Sequence, residues 1–498
     1  MLQKLKARTR QMGKMPSRSE ILMLAIAIPA LLWIAFVALQ VGHWRHDEVA
    51  YLGKGALIFR TQAEGRWLNL LLYSPTKLFS PEFGWILNTL LLGGGFVLMG
   101  WRIGLGWACA VAMAVTVLLF PGYTAQSLWP TSTLPAVVIW FGTVVLLMED
   151  RLRWIGISRL WVLPLAGIAL FATIPHFYFL LLPVLLPLKK IRSWADFFQS
   201  LVPGVVWSVG LLLGYGVALL VNGLRYGHFS LLLEHWRKDA MPDIEGGLAG
   251  AAAFHASLPF QHILDWLPLV CALAWLAVIV WAIHDWFRRG GNSLTLLVRL
   301  GYIAVLIAMP YIVGAAGGIV VQFRSLIPLA LGLTFLPVFF ASGRGLKAVS
   351  MAAVLLIGIP STVKTMKDLN WYAAVAQDNI VSVRSAIPAG MRTDRRAALL
   401  DDGYEDYFDV RRKALHLVRA KPVFLEGMGH EDFRIGPAFL ENGFDKFEAC
   451  SSDQIDCHAL RVGEETLPYC DGAKVGTICA QSVLSDGSVL FRFKMSAD

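Results

Sequence analysis

Asp47 and Glu48 open a segment dense in groups that exchange protons or hold anions, HWRHDEVAYLGKGALIFRTQAEGRWLNLLLYSPTKLFSP over residues 43–81. Carboxylates and bases directly after an apolar run are costly to keep near lipid, so a cluster of them is a functional-site candidate. A carboxylate there can take the proton from an acceptor hydroxyl as that oxygen attacks, which is general-base chemistry. The competing reading is structural: the pair caps an interfacial helix over about Val49 to Phe59, where Asp is favoured at the first position. From the residues alone, both readings stand.

The same segment continues as an amphipathic stretch. Tyr51, Leu52, Leu57, Ile58 and Phe59 are apolar, whereas Lys54, Arg60 and Arg66 are basic, a pattern suited to the headgroup plane. Its bases suit a lipid-linked phosphate, since Arg offers a planar fork of donors and Lys a point charge. Snorkelling to ordinary headgroups explains any one of them equally well. Arg324, in Val321-Gln322-Phe323-Arg324, stands at the outer mouth of an apolar run, where a cation can neutralise a departing phosphate or serve as an interfacial anchor. His176 and Tyr178 lie at another outer boundary, as substrate-binding candidates or as packing beside Pro175. In the second long loop, 223–263, Arg225, His228, His235, Arg237 and Lys238 are candidates for guiding an anionic lipid carrier, with Trp236 as a stacking surface. Its histidines lack metal-ligand spacing. Its Gly/Ala-rich stretch reads as a lid or connector, since no G-x-x-x-x-G-K motif is present.

The elements that must position these groups are set by hydropathy. Of 498 residues, 56% are hydrophobic and 16% charged, more apolar surface than soluble domains carry, so lipid must be the solvent for much of the chain. Apolar runs able to cross about 30 Å of hydrocarbon fall near 21–42, 84–101, 104–120, 129–148, 159–174, 176–188, 202–222, 264–287, 297–318, 324–342 and 347–363. The expected fold is therefore a polytopic α-helical membrane protein of about 10–11 spans. The run 176–188 is short, and a broken or re-entrant helix is its alternative. The net charge of +9 does not indicate a nucleic-acid partner, because the bases sit in short stretches between apolar runs and set orientation instead.

With the basic segment 1–20 in the cytoplasm, Arg102, Arg151, Arg153, Lys189, Lys190, Arg192, Arg288, Arg289, Arg344 and Lys347 all fall on inner connections. The first span reads as a retained signal anchor. The domain organisation is then a membrane domain over 21–363, with outer loops 43–83 and 223–263, and an extracytoplasmic domain over 364–498. That last domain reads as α+β: helical periodicity over Ala374 to Ile387 and Tyr404 to Ala420, then short strands PVFLEG, LPYC, GTICAQSVL and GSVLFRFKM. It contains Cys450, Cys457, Cys470 and Cys479, an even number on a side placed outside the cytoplasm. Two disulfides fit that placement. A zinc site is the alternative, against which stands the lack of a paired Cys-x-x-Cys.

An Asp-Glu pair after the first span, then Tyr51, an interfacial helix and Gly65-Arg66-Trp67-Leu68, resembles the first external loop of GT-C fold glycosyltransferases that use polyprenyl-phosphate sugars. Within that group it is most similar to the serotype-converting glucosyltransferases that modify the O-antigen of bacterial lipopolysaccharide. The likeness covers about forty residues well, and the remaining spans match in number and layout. It implies a GT-C-like membrane domain in a bacterial inner membrane, with Asp47 as base and Glu48 as a second acid that positions the acceptor or takes the base role itself. Arg66 would support the site. The reaction implied is inverting transfer of a hexose, such as glucose, from undecaprenyl phosphate to a lipid-linked glycan on the periplasmic side. A one-phosphate leaving group can be stabilised by two or three cations, so this chemistry requires no cofactor, and metal dependence stays open. Flippases of lipid-linked saccharides, polymerases or ligases acting on the same glycans, and a non-catalytic scaffold are the other classes the sequence admits.

Overall fold

The structure is a computed structural model that describes residues 18–40, 64–72, 81–127, 129–148, 159–231, 247–317, 319, 321, 325–341, 344–400, 432–450, 465–466, 477–483 and 487–494. The chain divides into two compact units, one of Met1–Ala35 with Gly53–Thr365 and one of Phe36–Leu52 with Met366–Asp498.

The described part of the first unit is helical. Its helices are α1 (Arg18–Gln40, entering the second unit after Ala35), α2 (Trp67–Leu71), α3 (Pro81–Arg102), α4 (Trp107–Leu119), α5 (Pro121–Ser127) and α6 (Pro130–Met148). They continue as α7 (Val162–Phe171), α8 (His176–Phe179), α9 (Leu182–Leu185), α10 (Trp194–Tyr226), α11 (Gly247–Trp266), α12 (Leu269–Arg288), α13 (Ser293–Gly317) and α14 (Ile327–Phe340). Last comes α15 (Arg344–Ala386), which runs into the second unit. Among the described residues, six helices are long and apolar enough to cross a membrane: Glu82–Arg102, Pro130–Met148, Trp194–Tyr226, Leu269–Arg288, Ser293–Ala316 and Leu346–Lys367. On α12, Leu269, Leu273, Leu276 and Val280 repeat at helical spacing along one exposed face. A continuous apolar stripe of this kind needs hydrocarbon as its solvent. The chain is thus a polytopic helical membrane protein.

Some expected spans take another form. Helices α4 and α14, apolar on all sides, are almost entirely buried and pack on one another. At 13 and 14 residues they extend only about 20 Å, short of a hydrocarbon core, and they form an interior instead. The run 176–188 is no single span, because α8 and α9 have four residues each. Pro175 lacks a donor and disfavours helix in the residue before it, so the helix of α7 stops and restarts. The Gly/Ala-rich stretch expected as a lid or connector is helical, within α11. Its alanines, the strongest helix formers, offset its glycines.

In the second unit, β1 (Arg396–Leu400), β2 (Lys446–Cys450), β3 (Glu465–Thr466), β4 (Thr477–Val483) and β5 (Val489–Lys494) form one sheet of order β2-β1-β5-β4-β3. Strand β1 runs parallel to β2 and β5, while β4 is antiparallel to β5 and β3. Helix α16 (Asp432–Glu441) packs on β2. Alternating Val489, Phe491 and Phe493 turn into a core with Phe439 and Phe444, whose rings meet Phe491 edge-on at 4.8 and 5.5 Å. The expected strands GTICAQSVL and GSVLFRFKM are β4 and β5. The proposed helix over 404–420 and the strand in PVFLEG lie outside the described residues.

Candidate functional site

Gly65 turns the chain with a positive φ of 71°, a conformation that side chains with a Cβ resist. A Cβ there would also stand 2.9 Å from the Cβ of Ala218 on α10. The turn places Glu64 on one side and Arg66 at the start of α2 on the other. Glu64 and Arg66 form an ion pair, with the Glu64 side chain 5% and the Arg66 side chain 15% exposed. Three residues after Arg66, within α2, Asn69 is also buried.

The broken helix anchors this element. Where α7 ends, its last carbonyls have no intrahelical donor. The Ala172 carbonyl accepts from the Leu68 amide at 3.0 Å, fixing α2 to the break. Four residues on, His176 begins α8, buried with its ring stacked 4.8 Å from Phe177. Tyr178 serves packing. Its hydroxyl donates to the Trp207 carbonyl at 2.8 Å, with the Leu163 carbonyl 3.2 Å away as a second acceptor, and its ring stacks on Trp207 at 5.3 Å. The Trp207 indole donates back to the Tyr178 carbonyl at 3.2 Å. Tyr178 is fully buried and joins α7, α8 and α10.

Of the residues singled out from sequence, Arg66, His176 and Tyr178 fall on this element and the break that holds it. Asp47, Glu48, Tyr51, Lys54, Trp236, Arg237, Arg324, Cys457 and Cys470 lie outside the described residues. Cys450 ends β2, and Cys479 on β4 is disulfide-bonded. Cys109 and Cys271, in apolar helices, are not disulfide-bonded. Sequence reasoning missed Glu64 and Asn69. Their signal was present: a carboxylate two residues before Arg66, and a single carboxamide in the apolar run Trp67-Leu68-Asn69-Leu70-Leu71-Leu72.

A second buried polar group lies between α11 and α13. His262 Nδ1 is 2.9 Å from the Tyr311 hydroxyl. His255, two turns earlier on the same face of α11, is also buried. Burial pushes the His262 imidazole down from 6.5 to about 4. The folded protein therefore keeps His262 neutral at pH values where the unfolded chain binds a proton, so this contribution to stability is intact above pH 6.5 and lost as the pH falls from 6.5 toward 4. The expected result is a melting temperature that drops on acidification across that window. In His262→Gln, which retains a partner for Tyr311 but cannot titrate, the drop should be smaller. Parallel profiles for the two proteins would show that His262 is not the group responsible.

Buried cations elsewhere in this unit have structural tasks. Arg299 donates to the Pro187 and Leu188 carbonyls at 3.0 Å and lies over the rings of Trp286 and Phe339, each at 4.7 Å. Lys347 donates to the Ile103 carbonyl at 2.6 Å. Arg66 differs in being paired with a buried carboxylate. No protein-family model, curated protein or solved structure matches this chain.

Proposed function

We propose that this protein is a membrane glycosyltransferase that moves a hexose from a polyprenyl-phosphate carrier to a lipid-linked glycan at the periplasmic face of a bacterial inner membrane. The observation that carries the reading is the Glu64-Gly65-Arg66-Trp67 element, an ion pair with a buried carboxylate in a helical unit rich in apolar side chains, at the end of the Asp47-Glu48 segment. Ionised groups in such surroundings are expensive and are kept where function needs them. In this mechanism Asp47 removes the acceptor hydroxyl proton as that oxygen attacks the anomeric carbon. The bond from that carbon to the phosphate oxygen breaks, the configuration inverts, and polyprenyl phosphate leaves with the electron pair. Lys54, Arg66 and Arg324 supply positive charge for the departing phosphate, and Glu64 fixes the plane of the Arg66 guanidinium. Glu48 positions the acceptor together with Tyr51, His176, Trp236 and Arg237.

A flippase of lipid-linked saccharides is the second reading, favoured by one observation: the buried interruption between α7, α8 and α9, since transporters build binding sites at broken helices. Purified protein in vesicles, given a panel of synthetic undecaprenyl-phosphate hexoses and a lipid-linked glycan, separates the two. The transferase forms a new glycosidic bond with at least one donor, with the product's anomeric configuration inverted. Movement of the intact donor between leaflets without bond formation would instead identify a flippase.

A further inference from the structure

Asn69 is a buried side chain with both of its polar atoms left without a hydrogen-bond partner, a state shared among the described residues by the two ring nitrogens of His255. It is 4% exposed, and neither its Nδ2 nor its Oδ1 has a hydrogen-bond partner among the described residues. Other asparagines in the molecule are put to structural use. Asn88 donates to the Pro130 carbonyl at 2.7 Å and the Thr133 hydroxyl at 2.9 Å. Asn222 donates to the Ser230 carbonyl at 2.9 Å, and Asn442 to the Ala438 and Ile380 carbonyls at 2.7 and 3.1 Å. A buried carboxamide without partners is destabilising, and leucine, which flanks Asn69 on both sides, would fill the place without that cost. Asn69 is therefore retained at the expense of stability, three residues along the chain from Arg66 of the ion pair.

The vacant hydrogen-bonding capacity defines the ligand chemistry. A carboxamide presents a donor and an acceptor side by side. Phosphate at neutral pH offers mainly acceptors and would leave Oδ1 unmatched, and an ammonium offers only donors. A hydroxyl does both. We propose that the Asn69 carboxamide reads one ring hydroxyl of the hexose, its Nδ2 donating to that oxygen and its Oδ1 accepting from the same group or the adjacent hydroxyl. The assignment rests on the glycosyltransferase reading and extends it by naming a specificity residue. Sites that hydrogen-bond a substrate hydroxyl discriminate against the analogue lacking it, because the site's polar atoms are then stranded.

The test uses the full-length protein in vesicles and a series of undecaprenyl-phosphate hexoses each lacking one ring hydroxyl. Wild type is expected to lose at least about 10-fold in kcat/KM for one member of the series, the one lacking the hydroxyl held by Asn69. Asn69→Leu should transfer the full hexose and that deoxy analogue equally well, and melt no lower than wild type. Asn69→Ala should show the same loss of discrimination and guards against a packing fault of leucine. A lower melting temperature in both variants with discrimination intact would make Asn69 structural and overturn the proposal. Binding of the same series to the purified protein separates this from the transferase reading. Hydroxyl-selective binding that Asn69→Leu abolishes, without transfer by wild type, would retain Asn69 and sink only the enzyme. Absence of any hydroxyl preference in wild-type binding and transfer would overturn Asn69's role.

Discussion

Arg66→Met should destabilise the membrane unit by about 3–5 kcal/mol, because it leaves the Glu64 carboxylate buried without its counter-ion. The cost is mainly that of a buried carboxylate deprived of the Arg66 guanidinium, and a second substitution exposes it. In Glu64→Gln with Arg66→Met neither charge remains, so most of the stability should return. Unfolding in mixed micelles measures all three proteins. A single variant as stable as wild type would mean that the pair is not buried in the membrane protein as it exists in lipid. On the proposed mechanism, sugar transfer should follow a different pattern, absent in the single and the double variant alike, since both lack the guanidinium assigned to the carrier phosphate. Recovery of stability without recovery of transfer distinguishes a site residue from a packing residue.

Gly210→Val should be among the most damaging substitutions in the helical packing. Helices α7 and α10 approach backbone to backbone along Gly167, Gly210 and Gly214, the last two forming the small-x-x-x-small spacing that lets membrane helices close on each other. A Cβ on Gly210 would collide with the Tyr178 hydroxyl and lie 2.8 Å from the Leu163 carbonyl. Overpacking of this kind costs about 1–3 kcal/mol, and displacing Tyr178 from the Trp207 carbonyl adds about 1 kcal/mol. Because α2 is tied to the end of α7 through Ala172, the shift should also reach Arg66. Gly216 on the same helix is the control, with no atom within 4 Å of its Cβ direction. Gly216→Ala should leave melting unchanged or raise it slightly, through better helix propensity. Equal effects of alanine at 210 and 216 would contradict the close approach.

Hydropathy made the class of fold readable, because length and apolar continuity are what a bilayer selects. It could not show which apolar runs face lipid and which are interior. Helices α4 and α14 have the same composition as a span, and their shortness and burial in the fold distinguish them. In the second unit β4 and β5 were legible through alternation and flanking turns. Strands β1 and β2 were not, since Arg396-Ala397-Ala398-Leu399-Leu400 and Lys446-Phe447-Glu448-Ala449-Cys450 are five residues each and owe their extension to pairing with each other in parallel. At the candidate site, Arg66 was visible as part of a motif. Asn69 was visible only as a lone carboxamide in an apolar run, because its shortage of partners exists only once the neighbouring chain is in place.

The decisive measurement is transfer of radiolabelled hexose from its undecaprenyl-phosphate carrier to lipid-linked glycan by the reconstituted protein, comparing wild type with Asp47→Asn and Glu48→Gln. Transfer by wild type, its loss to background in Asp47→Asn at an unchanged melting temperature, and partial retention in Glu48→Gln are the expected results. Full activity in Asp47→Asn would contradict Asp47 as the base, and no transfer by wild type from any hexose carrier would contradict the enzyme itself.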